Sequence, residues 1–129
     1  MATNVTERFM QTLQEAEQAN DPAPLVSLFT DAAELQNMGR HDDRHEAGGA
    51  DRFWLDYLSV FNRIRSTFTQ VTEQDGRAAL EWVSEGELNT GQPVRYRGIS
   101  VIETEGDRIR RFRTYYDSAV FLPQGVKQA

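Results

Sequence analysis

A carboxylate among apolar and aromatic residues near the end of the chain is the first candidate for chemistry. The segment 107–122 begins with charged residues and ends in Tyr115-Tyr116-Asp117-Ser118-Ala119-Val120-Phe121-Leu122. Because charged side chains are rarely buried without a partner or a task, we predict that Asp117 is a general acid or base in a pocket. The alternative is that Asp117 pairs with an arginine or caps a backbone group where the strand ends.

Strand alternation suggests which neighbours of this carboxylate share the pocket. Arg113, Tyr115 and Asp117 fall on one face of the last predicted strand. Ile109 and Phe112 differ in parity, and a β-bulge between them is the alternative that would shift this register. We predict that Tyr115 helps to orient a bound molecule and that Arg113 lines the same pocket.

Other pocket residues come from earlier parts of the chain. Trp82 and Ser84 share one face of a predicted strand, and Phe53 and Tyr57 lie at helical spacing. Asn37 ends a short predicted strand and, like Ser84, supplies a neutral hydrogen-bonding group. These residues predict an aromatic pocket, although an aromatic stripe at helical spacing is also how a helix packs on a sheet.

The hydrophobic pattern predicts helices first and strands afterwards. Apolar residues recur at helical spacing over 6–20, in a shorter second helix that carries Leu25, and over 51–62. Strand-like segments are 31–38, before the third helix, and then 63–73, 77–88, 93–104 and 107–122, joined by short turns. This order predicts one α+β domain over residues 1–129, with a curved, mostly antiparallel sheet wrapped around three helices.

Composition excludes several classes of function. The chain has 129 residues, a formal charge of −6 and no cysteine. The negative charge argues against nucleic-acid binding, and the lack of cysteine excludes disulfides and thiolate chemistry. No apolar run is long enough to cross a bilayer and no secretion signal is evident, so we predict a soluble cytoplasmic protein.

Four segments of the chain resemble the SnoaL-like branch of the nuclear-transport-factor-2-like (cystatin-like) superfamily. They are Phe53-Trp54-x-x-Tyr57-x-x-x-Phe61, Leu80-Glu81-Trp82-x-x-x-Gly86, Tyr96-x-Gly98-x-Ser100-x-Ile102 and Phe112-x-Thr114-Tyr115-Tyr116-Asp117. The resemblance implies a cone-shaped α-α-β-α-β-β-β-β fold with an internal pocket, and a homodimer formed through the outer face of the sheet. It implies no single activity, because this fold hosts isomerases, cyclases, dehydratases, epoxide hydrolases and non-enzymes.

Steroid isomerisation is disfavoured by the residues at the matching positions. In ketosteroid isomerases, the general base would fall on Asn37 and the tyrosine donor on Leu13. An amide cannot take a proton from carbon and leucine cannot stabilise an enolate. Leu13 is therefore predicted only to line the pocket.

Epoxide hydrolysis of the limonene-epoxide hydrolase kind is also incomplete. Asp117 and the asparagine match, but Leu35, Trp82 and Ser84 stand where that family has a tyrosine, an arginine and a second aspartate. Polyketide cyclases of the SnoaL kind need only an aromatic pocket and one carboxylate, and this sequence supplies both.

The two histidines lie in the segment His41-Asp42-Asp43-Arg44-His45-Glu46, before the third helix. Scytalone dehydratases, of the same superfamily, depend on histidines inside the pocket. On a helix His41 and His45 could share a metal ion, but the flanking glycines favour a loop and no third ligand is indicated. We predict no metal site and a lid over the pocket mouth, from which either histidine could reach inward.

A basic stripe crosses the predicted sheet of this acidic protein. We expect its arginines to pair with glutamates on neighbouring strands, rather than to form a patch for an acidic ligand or nucleic acid. The arginines are Arg95, Arg97, Arg108, Arg110, Arg111 and Arg113, and the glutamates are Glu81, Glu85, Glu87 and Glu103.

Together these features predict a pocket protein for a hydrophobic, oxygenated small molecule. One hypothesis is a cofactor-independent isomerase, cyclase or hydrolase with Asp117 as acid or base, since no phosphate-binding glycine motif is present. The alternatives are a non-catalytic ligand-binding module and a dimeric interaction domain without turnover. The predicted catalytic residues are Asp117, Asn37, Ser84 and Tyr115, and the predicted lining residues are Trp82, Phe53, Tyr57, Leu13, Leu35, Arg113, His41 and His45.

Overall fold

The computed structural model describes residues 4–39 and 49–122. Its elements are α1 (Val5–Ala19), α2 (Ala23–Val26), β1 (Phe29–Asn37), α3 (Gly49–Ser59), β2 (Phe61–Gln74), β3 (Arg77–Leu88), β4 (Pro93–Glu105), β5 (Arg108–Tyr116) and a 3₁₀ helix (Ser118–Phe121). The predicted order of helices and strands is confirmed. No helix in these two ranges is long and apolar enough to span a membrane.

The five strands form one sheet in the order β1-β5-β4-β3-β2. β1 runs parallel to β5, and the other neighbours are antiparallel. The predicted α+β class, with a curved and mostly antiparallel sheet, is therefore confirmed. The apolar stripes of α1 and α3 pack on the inner face of this sheet, which leaves the outer face of β3, β4 and β5 uncovered by the helices.

Local sequence signals fix both ends of α1. The Asn4 side chain accepts a hydrogen bond from the backbone N–H of Glu7 at 2.8 Å, as a helix N-cap does. Asn20 ends the helix in the left-handed conformation, with φ of 54°. Between these ends, the helical spacing of Phe9, Leu13 and Ala16 places them on one face, and all three are buried.

A β-bulge interrupts β5 at Arg110. Glu103 of β4 pairs with Arg111, but the next β4 residue, Thr104, pairs with Ile109. The extra residue resets the parity of the strand, so Ile109 and Phe112 both point inward and are buried. The bulge alternative is confirmed, and the prediction that Arg113, Tyr115 and Asp117 share the inner face is wrong.

The last strand is also shorter than predicted. β5 ends at Tyr116, and the chain turns there into the 3₁₀ helix instead of continuing as a strand to 122. The apolar side chains of this segment return to the fold, where Phe121 packs against Phe61 and Tyr96. The apolar residues after Asp117 therefore form a turn that packs against one end of the sheet, and not the end of a strand.

The core divides into two clusters. The first joins α1, α2 and α3 to the inner face through rings that include Phe9, Phe29, Trp54 and Phe112. The second lies around Leu58, Phe61, Ile64, Trp82, Leu88, Val94 and Tyr96. Residues of both clusters line a cavity, which therefore lies between them.

Candidate functional site

A cavity of about 320 Å³ lies between the inner face of the sheet and α3. This volume is within the range of small-molecule sites. Its walls are mostly apolar and aromatic, with a few hydroxyl and amide groups. They are Leu13, Asn37, Gly39, Phe53, Trp54, Asp56, Tyr57, Val60, Phe61, Ser66, Trp82, Ser84, Tyr96, Ser100, Phe112, Thr114, Tyr116, Ser118 and Phe121.

Two glycines make room for the aromatic walls. A Cβ atom added to Gly98 would lie 2.6 Å from the Trp82 ring and 2.2 Å from the Tyr115 backbone oxygen. A Cβ atom on Gly39 would lie 2.5 Å from the Tyr116 ring. Because neither ring could keep its place beside a larger residue, these glycines set the shape of the cavity.

A chain of hydrogen bonds runs across the inner face from β3 to β5. The Trp82 indole Nε1 donates to Ser100 Oγ at 2.9 Å, and Ser100 Oγ donates to Thr114 Oγ1 at 3.0 Å. An indole N–H can only donate, so Ser100 Oγ accepts from Trp82, and its own hydroxyl hydrogen goes to Thr114. Thr114 receives a hydrogen bond and keeps its own hydroxyl hydrogen available to the cavity.

Asn37 supplies a further donor in the cavity wall. The Asn37 side-chain oxygen accepts from the backbone N–H of Gly39 at 3.0 Å, which leaves its NH₂ group available to donate. Trp54 also lines the cavity, but its Nε1 is buried away from any accessible space and has no acceptor within the described ranges. We call Asn37 and Thr114 the donor side of the cavity.

A buried carboxylate lies behind another part of the wall. Glu17, on α1, is only 7% exposed. Its Oε1 accepts from the backbone N–H of Ser66 at 2.8 Å, and its Oε2 accepts from Tyr57 Oη at 2.6 Å and from Ser66 Oγ at 2.7 Å. Ser66 Oγ lies 2.7 Å from Ser84 Oγ. We call these four residues the Glu17 network.

Burial controls the protonation of this network. Desolvation raises the pKa of the Glu17 carboxyl above its ordinary value, although the hydrogen bonds from Tyr57 and Ser66 oppose that shift. Burial also raises the pKa of Tyr57 well above its ordinary range, and that of Tyr96. Both phenols are therefore neutral donors at physiological pH.

Asp56 is the one carboxylate in the cavity wall formed by the described residues. It lies at the rim, where its side chain is 33% exposed and forms an ion pair of 3.1 Å with Arg52 on the same helix. An i,i+4 ion pair between side chains this exposed contributes little to stability.

Six of the residues predicted to form the site lie in the cavity wall. They are Leu13, Asn37, Phe53, Tyr57, Trp82 and Ser84. His41 and His45, with the lid predicted for their segment, lie outside the described residues.

Four others do not line the cavity. Asp117 is exposed, and its Oδ1 accepts from the backbone N–H of Ala119 at 3.0 Å, as the cap of the 3₁₀ helix. Tyr115 is 38% exposed on the outer face, where Arg113 approaches Glu103 at 3.8 Å. Leu35 is buried in the first core cluster. The structure thus corrects the placement of Asp117 in the pocket, and the alternative of a backbone cap is confirmed.

Sequence reasoning missed Glu17 and Ser66. The signal was present, because Glu17 follows Leu13 by four residues and Ala16 by one on the apolar stripe of α1. A carboxylate at such a position is buried when the helix packs, and it then requires partners.

The basic stripe is paired on the outer face of the sheet. Cross-strand partners within 4 Å are Arg63–Glu87, Arg77–Glu103, Arg95–Glu85, Arg110–Glu103, Arg111–Glu103 and Arg113–Glu103. The expectation of ion pairs between neighbouring strands is confirmed for Arg95, Arg110, Arg111 and Arg113 of the predicted stripe. Arg63 and Arg77 form further pairs of the same kind.

The family model of the SnoaL-like domain matches residues 7–112. The chain belongs to the SnoaL-like domain family. No curated protein sequence matches it. The family resemblance that the sequence indicated is therefore confirmed over most of the chain.

Solved structures share this SnoaL-like fold at low sequence identity. An NTF2-like protein from Anabaena variabilis has a TM-score of 0.76 and 17% identity, over 87% of this chain and 86% of its own. IdmH from Streptomyces antibioticus, described as a candidate polyketide cyclase, has a TM-score of 0.72 and 18% identity, over 92% and 95%. AclR from Streptomyces galilaeus, described as a candidate hydroxylase, has a TM-score of 0.72 and 11% identity, over 92% and 80%. At these identities the likeness shows the fold alone.

Proposed function

We propose that this protein binds a hydrophobic, oxygenated small molecule in the cavity. The observation that carries the proposal is the donor side, where Asn37 and Thr114 offer hydrogen bonds within an otherwise aromatic enclosure. Each hydrogen bond from these groups to a ligand oxygen would contribute about 0.5–1.5 kcal/mol. Aromatic walls with a few placed polar groups are typical of small-molecule sites.

The fold neighbours support this class of ligand without naming a compound. IdmH is described as a candidate polyketide cyclase and AclR as a candidate hydroxylase, and both descriptions concern oxygenated organic molecules. No glycine-rich phosphate-binding motif is present in the sequence, so we propose no nucleotide cofactor.

Calorimetric titration with two matched compounds tests the proposal. Tetralone has one carbonyl oxygen, and tetralin is the same two-ring skeleton without oxygen. We expect tetralone to bind more tightly, and Thr114→Val to weaken tetralone about fivefold while leaving tetralin unchanged, as the loss of one hydrogen bond predicts. Thr67→Val is the control, because Thr67 is exposed on β2. If neither compound nor a wider panel of oxygenated aromatics binds, the proposal is wrong and a dimeric interaction domain becomes the better reading.

Acid–base turnover of the bound molecule is a second candidate. The observation that favours it is the buried Glu17 carboxylate, which joins the cavity wall through Tyr57 and Ser66. The sequence predicted Asp117 as the general acid or base. Exchange of the α-hydrogens of tetralone with deuterated water, followed by NMR, separates these possibilities. Loss of catalysed exchange in Glu17→Gln assigns the Glu17 network, loss in Asp117→Asn assigns Asp117, and no catalysed exchange leaves binding alone.

We also propose that the outer face of the sheet forms a homodimer. Val83, Ile99 and Val101 are only half-buried there, beside the exposed Tyr115, and ion pairs surround them. Sedimentation should show a dimer that Ile99→Glu dissociates. Val71→Glu, at an exposed position on β2, is the control and should leave the dimer intact. A wild-type monomer at all accessible concentrations would contradict this proposal.

A further inference from the structure

When Glu17 is ionised, every hydrogen bond in the Glu17 network has one direction. A backbone N–H can only donate, so Glu17 Oε1 is an acceptor towards Ser66. With Glu17 ionised, Oε2 also accepts only, and the hydroxyl hydrogens of Tyr57 and Ser66 both point to it. Three donors around one carboxyl group match the ionised form, because hydrogen bonds to the charged state favour that state.

The direction of the hydrogen bond from Ser66 to Glu17 also decides the direction of the bond between Ser66 and Ser84. The Ser66 hydroxyl hydrogen is used on Glu17, so the contact of 2.7 Å between Ser66 and Ser84 requires Ser84 to donate. Tyr57, Ser66 and Ser84 all line the cavity. Each then has only oxygen lone pairs left for a bound molecule, and we call these three residues the acceptor side of the cavity.

We propose that Glu17 makes this side of the cavity a hydrogen-bond acceptor, so that the cavity selects a ligand with a phenolic or enolic hydroxyl group there and disfavours a carbonyl group. The inference rests on the proposed binding function. The donor side donates hydrogen bonds to a carbonyl oxygen, so the two sides together select a hydroxylated carbonyl compound in one orientation. Glu17 lies behind the wall and is a positioning residue for the hydroxyl groups that contact the ligand.

Replacing Glu17 by glutamine reverses the direction of the side-chain hydrogen bonds in the network, with little change in the shape of the side chain. The Ser66 backbone N–H still needs an acceptor, so the glutamine oxygen takes the place of Oε1. Its NH₂ group then occupies the place of Oε2 and donates to Tyr57 and Ser66. Their hydroxyl hydrogens turn away, Ser66 donates to Ser84, and Ser84 donates into the cavity. Glu17→Gln therefore turns the acceptor side into a second donor side.

Calorimetry with naphthol and tetralone, two-ring compounds with a hydroxyl and a carbonyl group, tests the proposal. We expect the wild-type protein to prefer naphthol over tetralone, and Glu17→Gln to shift that ratio about tenfold or more towards tetralone, because each mismatched polar contact costs the affinity of a hydrogen bond. Glu15→Gln, at an exposed position on α1, is the control and should keep the wild-type ratio. An unchanged ratio in Glu17→Gln, with both compounds bound and the variant folded by circular dichroism, overturns the inference.

Neutron diffraction from deuterated wild-type crystals tests the same inference without a ligand. We expect deuterium on Tyr57 Oη and Ser66 Oγ to point to Glu17, and deuterium on Ser84 Oγ to point to Ser66. A Ser66 deuterium that points to Ser84 overturns the inference, whether or not Glu17→Gln folds. If these positions are as expected and neither compound binds, the proposed function fails while the acceptor side stands.

Discussion

Two glutamates on opposite sides of the sheet are equally buried but have different partners. Glu17, on the inner side, and Glu103, on the outer face, are each 7% exposed. Glu17 is surrounded by neutral donors: two hydroxyl groups and one backbone N–H. Glu103 Oε1 accepts from Arg110 at 2.7 Å, and its Oε2 lies within 4 Å of guanidinium groups of Arg77, Arg111 and Arg113.

The difference teaches what each carboxylate does. Guanidinium groups compensate the charge of Glu103 directly, and the result is an anchor that ties β3, β4 and β5 together. Neutral donors compensate the charge of Glu17 less completely. Their hydroxyl groups can rotate, however, so the carboxylate decides whether these groups donate or accept hydrogen bonds towards the cavity. The outer glutamate therefore serves stability, and the inner one can serve recognition.

Glu103→Gln should give the largest effect on stability. It leaves four arginines around a neutral amide, and we expect the free energy of unfolding to fall by about 2 kcal/mol, less than for a fully buried pair because the arginines are partly exposed. Urea denaturation measures this, and added salt should recover part of the loss. Glu85→Gln, which breaks a pair whose two side chains are about 70% exposed, is the control and should cost little. Equal effects of the two variants would contradict the anchor role.

Tyr57→Phe should come next. It removes the shortest hydrogen bond to Glu17, and we expect a loss of about 1–2 kcal/mol together with a further rise in the pKa of Glu17. Denaturation gives the first quantity, and NMR titration of the Glu17 carboxyl carbon gives the second. Tyr115→Phe removes an exposed hydroxyl group and should change neither. A pKa of Glu17 that stays at its wild-type value would remove Tyr57 from the network.

The pH dependence of stability should carry a smaller contribution from Glu17. Burial raises its pKa in the native state, so the folded protein keeps this proton at a pH where the unfolded chain has lost it. Stability should therefore fall as pH rises from about 4.3, the ordinary glutamate value, through the raised pKa. The groups that face Glu17 from α3 and β4, Tyr57 and Tyr96, remain neutral in this range.

Comparison of the wild type with Glu17→Gln isolates this contribution. Urea denaturation at a series of pH values should show a slope in the wild type that is reduced in the variant. Glu15→Gln should keep the wild-type slope, since Glu15 is exposed on the same helix. A variant profile parallel to that of the wild type would show that Glu17 does not titrate differently in the two states.

Substitutions at Asp117 should give the smallest effects. Asparagine is as good a cap as aspartate, so Asp117→Asn should leave stability and tetralone binding unchanged, and Asp117→Ala should cost about 0.5 kcal/mol at this exposed cap. Denaturation and calorimetry check both statements. Loss of tetralone binding in Asp117→Asn would place this carboxylate at the cavity and return it to the first rank of candidates.

Much of the architecture was predictable from local patterns. The helical stripe of α1, the turn at Asp75-Gly76 and the alternation along β3 and β4 each follow from side-chain periodicity or from backbone preference. The same alternation placed Trp82 and Ser84 on one face, and both line the cavity. These predictions were correct because they depend on neighbours close in sequence.

The error at Asp117 begins with the β-bulge in β5. One extra residue at Arg110 shifts the alternation of β5. Each later side chain of the strand therefore faces the side of the sheet opposite to the one that simple alternation from Ile109 predicts. The bulge places both Arg110 and Arg111 near Glu103, an arrangement that depends on the register between two strands. A strand read alone cannot reveal how its partner is aligned.

By itself the sequence determined the order of helices and strands, the family, and the set of aromatic residues available for a pocket. These follow from composition and periodicity, which are local properties of the chain. Only the tertiary structure decided which carboxylate is joined to the cavity. Glu17 and Ser66 lie 49 positions apart, and packing of α1 on β2 brings them to 2.8 Å, whereas the bulge and the turn after Tyr116 carry Asp117 out to solvent.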